Sequence, residues 1–260
     1  MFISRKLSIG LMSFLGVVFL AACSKAPVTG RQQLMLVSES QAQELGVQAY
    51  KEALGKSKLS QDPKYVNQVR RVGARVAQAA QKPEYQWEFN VIDEAKTVNA
   101  WALPGGKVAV YTGLLNLGVS DDELAAVMGH EVAHATAQHS RERMSQAMAQ
   151  QIGLQALGAS GKLGEGALQA VNLALGIGVG LPFGRKQESE ADYIGLDLMS
   201  KAGYNPRSAV TFWQKMEAAA GGAKPPEFLS THPSSEHRIR DIEAALPKFM
   251  PAYEANKNKA

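Results

Sequence analysis

Cysteine is almost missing from this 260-residue sequence: Cys23 is the single one. No disulfide can therefore form within the chain, and its stability rests on core packing. Histidine is scarce too, at five residues, so any cluster of them stands out against the background. Charge of one sign is not in excess. Taking Arg5 and Lys6, in a segment expected to be removed, from the 28 basic residues leaves 26 against 24 acidic. That balance excludes a strong polyanion partner such as nucleic acid. No repeat or long linker divides the sequence. Apolar residues are not lacking: at 45% hydrophobic the chain can bury a substantial core in one domain or two closely packed lobes, and disorder is not indicated.

The only strongly apolar N-terminal run, Leu11 to Leu20, follows Arg5 and Lys6 and precedes the small residues Ala21 and Ala22. This is the layout of a secretory signal over residues 1–22. Leu20-Ala21-Ala22-Cys23 resembles a bacterial lipobox, which implies that Cys23 is lipidated and becomes the mature N-terminus. An ordinary cleaved signal and an uncleaved anchor are the competing readings. Ser24 stands where an aspartate would favour retention at the inner membrane, so the expected location is the periplasmic face of the outer membrane. Residues 23–33, with Pro27 and Gly30, are read as a lipidated start and a short tether.

Local signals then place the elements. Ser38 with Gln41 is a capping pair for a helix to about Leu54. Asp62-Pro63 opens another, with Val66, Val69, Val72, Val76 and Ala79 at helical spacing. Trp87 to Ile92 alternates as a strand, and Pro104-Gly105-Gly106 turns Asn99–Leu103 into Lys107–Tyr111. These make a small antiparallel sheet whose edge, at Asn99, Ala100 and Trp101, could pair with an extended peptide. Residues 140–181 read as two helices broken at 158–166. The second, 167–179, is apolar but too short for a membrane span, and either packs on the core or acts as a lid. Helices follow over Arg185–Ala202, Ser208–Ala220 and from Ser234 or Ser235 to about Leu246, with a polar, frayed tail at 251–260.

The chemistry is concentrated in Ser120 to His139, SDDELAAVMGHEVAHATAQH, which reads as one helix opened by an S-x-x-E capping box. It carries His130, Glu131 and His134 in the H-E-x-x-H pattern of zinc proteases. Residues four apart lie nearly over each other, so both imidazoles can close on one ion, and Glu131 is placed as a base for a water activated there. Nine residues put His139 about half a turn round the helix from His130, so it is expected to be a polar surface residue. A hydrolytic site needs a third protein ligand. Glu188 is a candidate, with Asp192 four residues on to hold the free ring nitrogen of His130 or His134. On spacing alone it remains one residue of an acidic helix face, and Glu190 is expected to be solvated.

His130-Glu131-x-x-His134 followed by Glu188-x-x-Ala191-Asp192 resembles the HtpX and CAAX-prenyl-endopeptidase family of gluzincin zinc metalloproteases, in its bacterial lipoprotein members. Pro27-Val28-Thr29-Gly30-Arg31, Asn99-Ala100-Trp101, Gly113-Leu114-Leu115 and Thr231-His232-Pro233 add to the likeness, which spans residue 27 to about 240. The resemblance implies one Zn2+ per chain on His130, His134 and Glu188, with Glu131 as the catalytic base. It also implies a role for His232, as an oxyanion donor or a reversible plug of the open metal position, against the plainer reading of a loop histidine capping the last helix. His237 and Arg238 are read as structural. The flanking membrane helices of HtpX have no counterpart.

The expected fold is α+β and predominantly helical, a zincin-like metallopeptidase domain over 34–250 with its small sheet beside the motif helix. The expected function is zinc-dependent endopeptidase action on misfolded or unassembled envelope proteins, with an envelope assembly machine or chaperone as a possible partner. The competing classes are a lipoprotein chaperone with a closed or structural zinc site, and a zinc hydrolase of peptidoglycan.

Overall fold

The computed structural model describes residues 23–156, 183–221, 226–233 and 237–259. The signal segment, the helix expected over 167–179 with its preceding break, and the start of the last helix at Ser234 or Ser235 lie outside them. In order, the elements are β1 (Cys23–Lys25), β2 (Gln32–Leu34), α1 (Glu39–Gly55), α2 (Pro63–Ala79), β3 (Glu88–Ile92), β4 (Ala100–Leu103), β5 (Lys107–Tyr111) and α3 (Thr112–Leu115). After these come α4 (Asp121–Thr136), α5 (His139–Ala156), α6 (Arg185–Lys201), α7 (Ser208–Ala220), α8 (Glu227–Thr231) and α9 (Arg238–Asn256). The architecture is the predominantly helical α+β arrangement expected. Among the described residues no helix is long and apolar enough to cross a membrane.

Capping chemistry sets the starts. The Ser38 hydroxyl accepts from Gln41 N–H while the Gln41 side chain accepts from Ser38 N–H. Ser120 and Glu123 repeat that exchange at the start of α4, where three acidic residues suit the positive end of the helix dipole. Asp62 caps α2, with Pro63 in its first turn.

The sheet order is β3-β5-β4. The antiparallel hairpin β4–β5 is present, with Gly105 and Gly106 at φ 84° and 85° in its turn, a region glycine enters without steric cost. The sheet is nevertheless mixed rather than antiparallel, because β3 pairs parallel to β5, Glu88 opposite Lys107 through Ile92 opposite Tyr111. Alternation along 87–92 reveals a strand but not the direction of its partner. One face of the sheet packs with α2 and α4 through Val91, Val108, Val110, Val72 and Met128, all buried. The other holds Tyr50 of α1, Trp101 and Ala109.

Helices α4 and α6 meet backbone to backbone at Gly129 and Gly195. A Cβ on Gly129 would fall 2.8 Å from the Gly195 carbonyl oxygen, and one on Gly195 would fall 3.0 Å from His130 N. Glycine at both positions lets the backbones touch, which sets the distance between the residues that follow Gly129 and those on α6.

Three expectations need correction. Residues 23–33 are not a free tether: β1 and β2 form an antiparallel hairpin, Cys23 opposite Leu34, with Ala26 and Gln33 buried. The motif helix does not run on to His139. It ends at Thr136, Gln138 takes φ 59°, and α5 starts at His139 in a new direction. The C-terminal tail is not frayed at 251, since α9 continues through Pro251 to Asn256 with Phe249 buried.

Candidate metal centre

Helix α4 presents His130 and His134 on one side, α6 brings Glu188 and Asp192, and His232 follows the last residue of α8. One ligand atom from each of His130, His134, Glu188 and His232 lies within 4.8 Å of the other three, and all four residues are buried. His130 Nε2 is 3.0 Å from His134 Nε2, 3.4 Å from Glu188 Oε2 and 3.2 Å from His232 Nδ1. Glu188 Oε1 is 3.3 Å from His134 Nε2 and 3.1 Å from His232 Nδ1. A tetrahedral ion with bonds of about 2.0–2.2 Å to nitrogen and oxygen has ligand-to-ligand edges of about 3.3–3.6 Å. The five spacings given, from 3.0 to 3.4 Å, come within a few tenths of an ångström of such edges, and the four ligand atoms as a set lie within 4.8 Å.

The proton positions agree with it. His130 Nδ1 lies 2.9 Å from Asp192 Oδ1, and a carboxylate requires that this nitrogen carry the proton. His130 Nε2 then offers a lone pair. His134 Nε2 offers another if its own Nδ1 is the donor toward His139 Nδ1, 2.9 Å away. Two lone pairs aimed at one point repel unless a cation sits between them, so the donor set suits a metal.

Charge in the pocket points the same way. Burial alone would lower the His130 pKa, but the Glu188 charge and the Asp192 bond overcome it and hold the ring at about 9. The pocket thus takes a proton where a dication would serve. Burial drives His134 well below its ordinary value. It pushes Glu188 up, yet the His232 and His130 charges win and hold that carboxyl well below the carboxylate range. Glu131 is different. Burial pushes it up against weaker opposing pulls from His232, His130 and the Ala102 backbone, and its buried Oε1 makes no hydrogen bond. A carboxyl raised by desolvation is suited to exchanging protons near neutral pH. His232 Nε2 stands 3.3 Å from that oxygen.

The structure also brings in residues that local reasoning put elsewhere. Arg238 donates to Glu188 Oε2 at 3.0 Å and to Asp192 Oδ1 at 2.7 Å, and its guanidinium lies 3.4 Å from the Trp213 ring centroid. It is a member of the centre's charge network rather than a remote structural residue. His139 is fully buried, not on the surface, because the pitch argument assumed a helix that in fact ends three residues earlier. Glu190 is buried too. It accepts from His139 Nε2 at 3.0 Å and Arg31 Nε at 2.6 Å, and from the Thr29 hydroxyl. Burial opposes its ionisation, but those three bonds hold it at about 2. No local signal marked these residues beyond the likeness of the Pro27–Arg31 stretch.

The strand residues fall at the sheet edge. Asn99 is buried, and its side chain accepts from Ala100 N–H and donates to Glu227. Trp101 turns toward Tyr50, ring centroids 5.8 Å apart. Among the described residues β4 pairs only with β5 in the sheet, and its Ala102 backbone bonds the Glu131 carboxyl. Cys23 opens β1.

Comparison with known proteins agrees with this geometry. The model of peptidase family M48 matches residues 63–246. The mitochondrial metalloendopeptidase OMA1 of Schizosaccharomyces pombe is 38% identical over 241 residues, covering 90% of this chain and 69% of its own. The OMA1 metalloendopeptidase of Homo sapiens is 32% identical over 94% of this chain and 50% of its own length. The beta-barrel assembly-enhancing protease of Escherichia coli is 28% identical over 90% of this chain and 49% of its own. The chain thus spans about half the length of the last two.

Proposed function

The chain belongs to peptidase family M48, and from that premise we propose that this metalloprotease is a zinc endopeptidase of the cell envelope that cuts unfolded or unassembled proteins. The observation that carries the reading is the buried convergence of His130, His134, Glu188 and His232 within 4.8 Å, with the raised Glu131 carboxyl, its Oε1 unbonded, beside them. His130, His134 and Glu188 hold the metal, and Asp192 fixes the His130 tautomer with Arg238 behind it. When bound, zinc supplies Lewis-acid polarisation of the scissile carbonyl and acidifies water. Glu131 takes the proton from the attacking water and passes it to the leaving amine nitrogen. The Asn99–Leu103 edge pairs with the substrate backbone, in the manner of strand addition.

His232 has two readings, and its position favours one. Its Nδ1 lies 3.2 Å from His130 Nε2 and 3.1 Å from Glu188 Oε1, which favours it as a plug of the position that a hydrolytic site keeps open for water. This is the plugged form, and the histidine must withdraw before turnover. The same closed geometry supports the chaperone reading, in which the site stays shut. The lipid on Cys23 rests on the signal-like N-terminus alone, and the envelope location on that N-terminus with support from the likeness to the beta-barrel assembly-enhancing protease of Escherichia coli.

The test is unfolded casein with wild type and Glu131→Gln. Cleavage by wild type alone is expected, and equal cleavage by both sinks the protease assignment. His232→Ala is expected to raise casein cleavage if the residue is a plug. A fall of ~10²-fold or more, the loss seen on removing an oxyanion donor, assigns that role instead.

A further inference from the structure

The two metal-facing histidines are supported differently. His130 has its carboxylate directly, but among the described residues His134 Nδ1 meets no carboxylate. It has a second imidazole, His139 Nδ1 at 2.9 Å, whose other nitrogen reaches Glu190 Oε2 at 3.0 Å. Glu190 is in turn gripped from the N-terminal hairpin by Arg31 Nε at 2.6 Å and by the Thr29 hydroxyl. The remaining guanidinium nitrogens of Arg31 fork onto Glu142 of α5, at 2.8 and 2.7 Å. Gln33 of the same hairpin donates to the Ala137 carbonyl at the end of α4, at 2.8 Å.

With both imidazoles neutral, the network admits one set of protons. The anionic Glu190 accepts, so His139 carries its hydrogen on Nε2 and leaves Nδ1 as an acceptor. His134 must then donate from Nδ1 and turn Nε2, as a lone pair, to the metal. Reversing any link would set two acceptors or two donors face to face in a buried site.

We propose that Arg31, Thr29, Glu190 and His139 form a positioning relay that fixes the tautomer and ring angle of His134, which makes the hairpin over 23–34 part of the metal centre. The proposal rests on the ligand assignment above. It gives Glu190 and His139 a chemical reason to be buried, and it ties the segment next to the expected lipid anchor to the competence of the site. None of these four residues touches substrate.

The test uses the full chain with Arg31→Met, His139→Phe and the double variant. Zinc affinity is measured by competition with a chromogenic chelator, the cobalt-substituted visible spectrum is recorded, and the thermal midpoint of the metal-free protein is taken alongside. Outer partners of metal-binding histidines typically set affinity by about 10–100-fold. His139→Phe is expected to weaken zinc in that range, and Arg31→Met by a smaller factor. Both should shift the cobalt spectrum, and the double variant should be no weaker than His139→Phe, because the arginine acts through that histidine. Lower midpoints with unchanged affinity and spectrum, or factors that multiply in the double variant, overturn the relay. If His139→Phe does not fold, Glu190→Gln, which keeps the shape and removes the charge, takes its place with the same expected direction. Zinc retained in full by Glu188→Ala would instead defeat the ligand assignment, so the two failures are distinguishable.

Discussion

Two arms support the centre, and they solve one problem at different distances. On the His130 side, Asp192 touches the ring and Arg238 holds Asp192 and Glu188 together. On the His134 side, the same carboxylate-and-arginine pair is present as Glu190 and Arg31, set back by the width of one imidazole. The direct arm joins α4, α6 and the start of α9. The relayed arm recruits the N-terminal hairpin and the first turn of α5. A histidine inserted in a chain of hydrogen bonds conveys orientation, because each ring must donate at one nitrogen and accept at the other. The relayed arm therefore depends on more parts than the direct one, and each part can be removed separately.

The largest effect should come from the residue between the two arms. Glu188→Ala is expected to lose bound zinc nearly completely by elemental analysis, since it removes a donor common to both sides and strands Arg238. Next come the carboxylates. Asp192→Asn should weaken metal binding by about 10–100-fold, and Glu190→Gln by less, because its charge acts one ring away. A larger loss for Glu190→Gln in chelator competition would reverse the ranking of the arms.

Gly129→Ala disturbs the scaffold rather than either arm. Its new methyl group would meet the Gly195 carbonyl at 2.8 Å, and overpacking of this kind costs about 1–3 kcal/mol. Denaturant unfolding of the metal-free protein should show the loss, and unchanged stability would mean that α4 and α6 can separate freely.

The smallest effect concerns pH. Burial would raise the Glu142 carboxyl, but the Arg31 and Gln187 bonds hold it below its ordinary value, as the His139, Thr29 and Arg31 bonds hold Glu190 at about 2. A depressed carboxylate pKa contributes stability above the unfolded value of about 4.3 and loses it as pH falls through the folded value. Wild type should therefore exceed Arg31→Met in thermal midpoint at pH 7, with the gap, on the order of 1 kcal/mol, closing toward pH 2. A gap that persists there would place the contribution of Arg31 in packing of its aliphatic stem.

The direct arm is the one that sequence reasoning could anticipate. His130, Glu131 and His134 are related by helical pitch, and Glu188 and Asp192 by the same pitch on a second helix, although joining the two helices took a family resemblance. The relayed arm was illegible for a definite reason. His139 was placed by extending the pitch of α4 beyond Thr136, and nothing in Ala137-Gln138 announces that Gln138 takes a left-handed turn. Once that turn is made, His139 folds back beside His134 instead of facing away. Glu190 looked like a solvated helix acid because its partner, Arg31, lies 159 residues away. The parallel partner of β3 escaped notice similarly, since alternation reports which face of a strand is buried and not which strand lies beside it.

What the sequence determined by itself is therefore local: the capping boxes at Ser38 and Ser120, the turn at Gly105-Gly106, and the presentation of His130 and His134 from one side of a helix. These follow from interactions within a turn or two of chain, whose geometry is nearly independent of the rest of the fold. The tertiary structure decided what stands behind those ligands. The Gly129–Gly195 contact set the reach of α6, the turn at Gln138 returned His139 to the site, and the packed hairpin delivered Arg31. Each of these joins residues far apart in the chain, and their meeting depends on how all the helices pack around one core.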